Sequence, residues 1–224
     1  MPSATIDIVQ TKNSHAYAQA CLVTPHPMNA AVQSTIDRLD LEKHDEGGYF
    51  TETDRDPLKI PNPFKGSPAY PNASSQDEAD SDTRNAMTTI HYYLSPDRPV
   101  GRWHRNKART VHTLHRGRGR YFIIDPKNID SSTGHAKVTS FIVGHDIEHD
   151  EKLQWIVDGN KFKATCLLPD ANSHGSEGGL LISETVVPGF ELSDHDFLTN
   201  DELVRLLGKG EATDALKWLL REND

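Results

Sequence analysis

The chain has 224 residues, of which 35% are hydrophobic, and its formal net charge is −9. This length and composition favour one large all-β domain with a buried core over two small domains. The negative charge argues against nucleic acid as a partner, because a phosphate-binding face needs clustered Lys and Arg residues.

Cysteine content and hydropathy favour a soluble protein without a disulfide framework. Cys21 and Cys166 are too few for a disulfide framework, and Cys166 lies in an apolar run typical of a buried free thiol. We see no basic-then-apolar leader and no apolar run near the about 20 residues that a membrane span requires. We therefore expect a soluble protein of the cytoplasm, or also of the nucleus, with no membrane partner.

The first part of the chain is polar and then helical. Residues 1–28 are predicted to form a tail or an outer strand. A helix is predicted from Asn29, as its cap, to about Leu39, because apolar residues recur there at spacings of three and four. A Gly47-Gly48 turn precedes a β-type run. Residues 56–86, with five prolines and a Ser- and Asp-rich stretch, predict a long surface loop.

Short strands then follow one another, bounded by Gly, Pro, Asp or Asn, which is typical of a sandwich or barrel. Thr199 and Glu202 form a capping-box pair that predicts a helix, and a second helix is predicted over about 211–221. The chain is thus predicted to hold one barrel domain over residues 29–200 and a helical extension over 201–224. The predicted strands are 87–94, 100–104, 110–115, 119–125, 136–143, 153–157, 161–168 and 179–187.

The stretch from Gly101 to Gly117 has the layout of a metal-binding β-barrel motif. His104 stands where one metal ligand belongs, but Asn106 and Thr110 occupy the positions of a second histidine and a glutamate. With one ligand left, a stable transition-metal site is not expected, and we predict no metal and no cofactor.

Strand alternation sorts the candidate residues, because residues two apart share a face. Arg102 and His104 are predicted to face the same side, and His112 shares a face with Thr110. A neutral His104 beside Arg102 would have a lowered pKa, suited to proton transfer near neutral pH. The alternative is that hydrogen bonds hold His104 in the barrel wall without a chemical role.

Glu184 lies on an apolar strand face with Ile182 and Val186. A buried carboxylate costs several kcal/mol unless it is paired or protonated. Glu184 is therefore a candidate acid, base or ligand-binding group, or alternatively one partner of a structural ion pair with an arginine such as Arg102.

His145 and His149, in contrast, lie in an acidic stretch that predicts a hairpin connection, not a metal site.

These residues resemble the cupin superfamily, in its cupin_5 branch, and are most similar to fungal members. The resemblance implies a double-stranded β-helix, which is a small jelly-roll barrel, with helices at both ends of the chain. It further implies a homodimer with a ligand pocket in the barrel mouth. The matching stretches are His44 to Thr53, Thr89 to Leu94, Arg102 to Arg105 and Glu184 to Phe190.

The resemblance also suggests which residues line the pocket. We assign His104 and Glu184 as catalytic candidates. Phe162 falls at the position of the histidine in the second cupin motif. The ligand-binding candidates are Tyr49, Glu52, Arg102, His112, Tyr121 and Phe162.

Three functions remain open. The first is a metal-free pocket for a small polar metabolite, such as a sugar or nucleotide-sugar, with isomerase or epimerase chemistry by analogy with the rhamnose-precursor 3,5-epimerases. There His104 would abstract a proton next to a carbonyl group and Arg102 would stabilise the enolate. The second is a non-catalytic binding protein. The third, which the missing ligands disfavour, is a metal-dependent oxygenase or decarboxylase.

Overall fold

Short antiparallel strands dominate the computed structural model, which describes residues 6–23, 30–71, 73, 75, 81–170, 176 and 178–221. The helices are α1 (Ile8–Val23), α2 (Ala30–Arg38), α3 (Asn200–Leu207) and α4 (Glu211–Asp214). The strands are β1 (Glu42–Lys43), β2 (Tyr49–Arg55), β3 (Lys59–Pro61), β4 (Thr83–Asn85), β5 (Thr88–Leu94), β6 (Val100–Asn106), β7 (Arg109–Arg116), β8 (Gly119–Ile129), β9 (Ala136–Val143), β10 (Gln154–Val157), β11 (Phe162–Leu167), β12 (Leu180–Val187) and β13 (His195–Phe197).

Two antiparallel sheets face each other. The first has the strand order β1-β2-β5-β12-β7-β10 and the second has the order β13-β6-β11-β8-β9. Alternate residues of both sheets meet in one interior cluster, which includes Tyr92, Leu114, Tyr121 and Ile182. The predicted all-β jelly-roll fold is confirmed, and its eight predicted strands correspond to β5 through β12.

Helix α2 packs through Val32 against Tyr49 and Tyr93 of the first sheet, whereas helix α1 and the C-terminal segment cover the outer face of the second sheet. Trp103 and Phe162 point to that face and join a core with Leu203 and Leu216 from the C-terminal segment. Thr199 caps α3, since its hydroxyl oxygen accepts a hydrogen bond from the backbone N–H of Glu202 at 3.2 Å. The predicted cap Asn29 of α2 lies outside the described residues.

The prediction of a tail or outer strand over residues 1–28 is wrong for α1, which is helical. The buried face of α1 consists of Thr11, Ser14, Ala18 and Cys21, at helical spacing. These small or polar residues give no apolar stripe, so the sequence carried no helix signal. Arg120 anchors the helix from the second sheet through bonds to Ser14 Oγ at 3.1 Å and Gln10 Oε1 at 2.6 Å.

Two further predictions need correction. The region 56–86 is not without structure, because β3 and β4 pair as an antiparallel ribbon inside it. The second C-terminal helix ends at Asp214, well before residue 221, and is followed by a 3-10 turn over Lys217–Leu219. In and just after this turn, the carbonyls of Trp218 and Leu220 accept hydrogen bonds from the Arg102 guanidinium, at 2.8 and 3.1 Å.

No helix within the described part of the chain combines the length and the apolar character needed to cross a membrane.

Candidate functional site

A cavity of about 670 Å³ lies between the two sheets. Two of the carboxylates in its wall, Glu46 and Glu184, are buried at 8% and 6% exposure. Exposed charged residues, among them Glu52 and Arg55, complete the wall. The apolar part of the wall is formed by Phe50, Ile90, Val186, Phe190, Leu192 and Phe197.

Glu46 enters the barrel from a tight turn over residues 44–48. Gly47 has a φ of 98°, and a Cβ atom there would lie 2.0 Å from the carbonyl oxygen of Val100. The backbone N–H of Arg102 donates to the carbonyl oxygen of Glu46 at 2.6 Å. The Gly-Gly sequence thus holds the turn against the start of β6 and directs the Glu46 side chain inward.

Glu46 meets two histidines. Its Oε1 atom lies 2.9 Å from Nε2 of His195, and its Oε2 atom lies 3.3 Å from Nε2 of His104. The two imidazole rings stack with centroids 5.4 Å apart. His104 and His195 come from the neighbouring strands β6 and β13, and Glu46 comes from the turn before β2. We call these three residues the Glu46 triad.

The tautomer of His104 follows from its surroundings. Its Nδ1 atom lies 2.8 Å from the carbonyl oxygen of Arg102, which can only accept a hydrogen bond. Nδ1 therefore carries a proton, and in the neutral ring Nε2 carries a lone pair. Nε2 is buried without a hydrogen-bond partner among the described residues.

Burial and charge set the ionisation of the triad. Burial lowers the pKa of His104 to about 3, so its ring is neutral at pH 7. Burial alone would raise the pKa of Glu46, but the surrounding His104, His44 and His195 bring it well below its ordinary value of 4.5. The triad at neutral pH thus holds a carboxylate beside a neutral His104.

A second buried cluster consists of His112, Lys163 and Glu184, of which Glu184 lines the cavity. His112 on β7 and Glu184 on β12 are cross-strand neighbours. The Lys163 ammonium, from β11 of the facing sheet, donates to Glu184 Oε2 at 2.6 Å and to His112 Nε2 at 2.9 Å. Lys163 therefore ties the two sheets together across the barrel.

The electrostatics of this cluster favour a carboxylate and a neutral imidazole. Burial opposes the ionisation of Glu184, but the Lys163 charge and then His112 bring its pKa below the ordinary value of 4.5. Burial, and then the Lys163 charge, lower the pKa of His112. Lys163 thus supplies the positive charge that Glu184 needs in an apolar interior.

Four of the residues chosen from the sequence lie in or beside the cavity. Glu184 and Glu52 line it. His112 contacts Glu184, and His104 contacts Glu46, which is itself part of the wall. The predicted ion-pair alternative for Glu184 names the wrong partner, since Lys163 and not Arg102 makes the contact.

Arg102 does not share the inner face with His104, and this prediction is wrong. Between the pairs Lys163–His104 and Thr165–Gly101 the register of β6 against β11 shifts. This bulge inserts one extra residue and breaks the strict alternation on which the prediction relied. The guanidinium of Arg102 holds the C-terminal segment instead, so Arg102 cannot stabilise an enolate in the cavity.

Three other ligand-binding candidates are not part of the described cavity wall. Phe162 points to the outer core, where the Arg105 guanidinium lies 4.4 Å from its ring centroid. Tyr49 donates its hydroxyl proton to Asp97 at 2.6 Å and packs near α2. Tyr121 is inside the barrel, but it packs edge-on against His112 at a centroid distance of 5.6 Å.

Sequence reasoning missed Glu46, His195 and Lys163. Lys163 carried a usable signal, because it is the one charged residue of a mostly apolar strand, as Glu184 is of β12. Glu46 directly precedes the Gly-Gly turn, which is a weaker sign of an inward side chain. His195 lies in the polar stretch Ser193–Asp196 and carried no signal in the sequence.

The metal set of the cupin motif does not fit this chain. Asn106 and Thr110 stand at two of its positions, and the Lys163 ammonium uses the acceptor atoms of His112 and Glu184. A cation bound at those two atoms would have to displace an ammonium group that already neutralises the carboxylate. His104 therefore finds its partners elsewhere, in the Glu46 triad.

Comparisons with known proteins agree with this fold. The family model Cupin_5, described as Cupin superfamily (DUF985), matches residues 33–198. The uncharacterized protein YML079W of Saccharomyces cerevisiae is 40% identical over 193 residues, which cover 85% of this chain and 86% of the yeast protein.

Two solved structures share the architecture. A hypothetical protein from Leishmania major is similar with a TM-score of 0.65 and 27% identity, over 85% of this chain and 98% of that chain. Protein SO0799 from Shewanella oneidensis has a TM-score of 0.61 and 20% identity, over 86% of this chain and 98% of that chain. The family match over most of the chain, together with the two-sheet barrel, shows that this protein belongs to the Cupin_5 family of the cupin superfamily.

Proposed function

We propose that this protein binds a small polar metabolite, a sugar or a nucleotide-sugar, in the cavity between the two sheets. The observation that carries the proposal is the pairing of two buried carboxylates, Glu46 and Glu184, with phenylalanine rings in one cavity of about 670 Å³. Cavities of this size are typical of small-molecule sites.

The chemistry of the wall favours a neutral, hydroxyl-bearing group in the deep part of the cavity. The Glu46 and Glu184 carboxylates accept hydrogen bonds from hydroxyl groups, and Glu46, which unlike Glu184 has no lysine partner among the described residues, also repels anions. Phe190 and Phe197 offer apolar faces to the C–H surface of a sugar ring. The exposed Lys43 and Lys59 also line the cavity, where they would attract the phosphates of a nucleotide-sugar.

A binding experiment tests this proposal. Calorimetric titration of chelator-treated protein with neutral sugars and nucleotide-sugars should give binding, whereas the matching sugar acids should bind at least about 10-fold more weakly because of charge repulsion. Val186→Trp, which fills the cavity without changing its charge, should abolish binding, and the exposed Glu148→Gln should not affect it. Tighter binding of sugar acids, or unchanged binding in Val186→Trp, would contradict the proposal.

A second proposal adds isomerase or epimerase chemistry to binding. It is favoured by the contact of His195 with Glu46 in the cavity wall, since a carboxylate orients and supports an imidazole that accepts a proton. In this scheme the His195–Glu46 pair, rather than His104 with Arg102, removes a proton from the carbon next to a carbonyl group. The pair then delivers the proton to the former carbonyl carbon while the hydroxyl proton passes to the carbonyl oxygen, which moves the carbonyl group by one carbon and gives the isomer.

Isotope exchange separates catalysis from simple binding. Incubation of a bound sugar in heavy water should introduce deuterium next to the carbonyl group, and His195→Gln should stop the exchange while binding persists. A ligand recovered without deuterium after long incubation would identify a non-catalytic binding protein.

We also propose that the protein is a homodimer. Among the described strands, β10 ends the first sheet and pairs within it only with β7. Ile156 on this strand is 45% exposed, and the nearby Leu153 is 43% exposed. Association would cover such an edge. Light scattering at working concentration should give twice the chain mass, and a monomer would contradict the proposal.

A further inference from the structure

The Glu46 triad brings three metal-ligating atoms to one point. The ligand atoms of Glu46, His104 and His195 all lie within 4.8 Å of one another. Donor atoms bound to one metal ion at about 2.1 Å are separated by about 3 to 4 Å, so only small side-chain movements separate this arrangement from a coordination sphere. All three residues are buried at 8% exposure or less.

The position of His104 Nε2 also fits a cation site. This atom is buried and faces a carboxylate oxygen of Glu46 at 3.3 Å, but it has no hydrogen-bond partner among the described residues. A cation between the two atoms would bind both of them. A single shared proton would join only two of the three donors, whereas a metal ion joins all three.

The surroundings of His104 match those of known metal ligands. Histidines that bind metals usually donate their second ring N–H to a carbonyl or carboxylate oxygen, which fixes the tautomer. His104 does this through Nδ1 and the Arg102 carbonyl oxygen at 2.8 Å. The bulge in β6 that turns the Arg102 side chain outward therefore leaves its carbonyl group to orient the imidazole.

We propose that Glu46, His104 and His195 bind one divalent transition-metal ion at the cavity wall. Two neutral imidazoles and one carboxylate are a donor set that suits Zn²⁺, Fe²⁺, Mn²⁺ or Co²⁺ and leaves coordination positions open. Glu46 and His195 line the cavity, so these positions face a bound molecule. With the ion bound, His195 is a metal ligand and not the proton-accepting group of the isomerase scheme, so these two roles of His195 are alternatives. This site shares only His104 with the cupin motif, whose other positions are occupied by Asn106, Thr110 and Phe162.

Metal titration of the full chain tests the proposal without any knowledge of the metabolite. Untagged protein is stripped with a chelator and titrated with Co²⁺, followed by visible absorption, and with Zn²⁺, followed by calorimetry. We expect saturation at about one ion per chain, with the absorption bands of a nitrogen- and oxygen-ligated Co²⁺ ion. No saturable binding, or bands of fully hydrated Co²⁺ only, would overturn the proposal.

Variants assign the site. Glu46→Gln, His104→Ala and His195→Gln should each weaken Zn²⁺ binding by about 10-fold or more. The control is His149→Ala, because His149 is exposed and bonded to Asp146 at 2.8 Å, and so is a place for adventitious binding. Loss of binding in His149→Ala, or equal affinity in wild type and Glu46→Gln, would overturn the proposal.

Folding and sugar binding are measured alongside. Far-ultraviolet circular dichroism shows whether each variant is folded, and three separate triad variants keep the test decisive if one of them does not fold. Sugar binding by the metal-stripped protein is titrated separately. If the protein binds sugar but no metal, only the proposed metal site is overturned. If it binds metal but no sugar, only the proposed function is overturned.

Discussion

Lys163 shows how one buried residue decides the chemistry of this barrel. Its ammonium group contacts Glu184 and His112 at hydrogen-bonding distance, in an interior where an unpaired carboxylate would be costly. The sequence indicated that Glu184 needs a partner, and it suggested Arg102. A one-residue bulge in β6 turns the Arg102 side chain outward. The partner of Glu184 is instead Lys163, on β11, the strand next to β6 in the second sheet.

The first prediction concerns this ion pair. Lys163→Met leaves Glu184 buried without a positive partner and should lower the free energy of unfolding by about 3 to 5 kcal/mol. Glu184→Gln added to it removes the unpaired charge and should restore part of that loss. Urea denaturation of wild type, both single variants and the double variant measures the coupling. Strictly additive effects would contradict a direct interaction.

At the scale of elements, the strands were predictable and the helices less so. Strand alternation and turn residues predicted β5 through β12, because these strands are mostly short and turn residues bound many of them. Helix α1 escaped prediction because its buried face is small and polar. The turn at residues 44–48 was visible as Gly-Gly, but the direction of Glu46 depends on the close approach of β6, which is distant in sequence.

The second prediction concerns that turn. Gly47→Ala should destabilise the protein by clearly more than Gly66→Ala, although both glycines have positive φ values of 98° and 76°. A Cβ atom added at Gly66 would meet no atom within 4 Å, so only backbone strain of about 1 to 2 kcal/mol applies there. At Gly47 the Val100 carbonyl oxygen must move as well.

Thermal or urea unfolding of the two glycine variants gives the comparison. We also expect Gly47→Ala to weaken Zn²⁺ binding, because the turn carries Glu46, while Gly66→Ala leaves it unchanged. Equal destabilisation in the two variants would mean that the contact with β6 is not tight.

For the whole molecule, the buried ionisable groups make stability depend on pH. The pKa of His104 is lowered, to about 3, and that of His112 is lowered as well. Below pH 6.5 the unfolded chain therefore binds protons at these histidines that the folded chain does not bind. The lowered pKa values of Glu46 and Glu184 act in the same direction below about pH 4.5. Stability should therefore fall as the pH falls.

The third prediction gives this slope a size. From pH 7 to pH 5 the free energy of unfolding should drop by about 2 kcal/mol for each histidine that stays neutral in the fold. Urea denaturation at several pH values measures the slope, and His104→Asn should make it shallower. A slope that is flat or reversed between pH 7 and pH 5 would show that these histidines are protonated in the folded protein.

The sequence by itself predicted strands β5 through β12 and the family of the fold, and it singled out His104, His112 and Glu184 as candidate pocket residues. These follow from local periodicity and from motif residues that lie close together along the chain. Only the tertiary structure decided which residues meet, because Glu46, His104 and His195 come from three separated parts of the chain. Counting the ligands within one sequence motif therefore misses donor atoms that come from distant parts of the chain. Strand alternation likewise misplaces Arg102, because a bulge in β6 turns its side chain to the outer face.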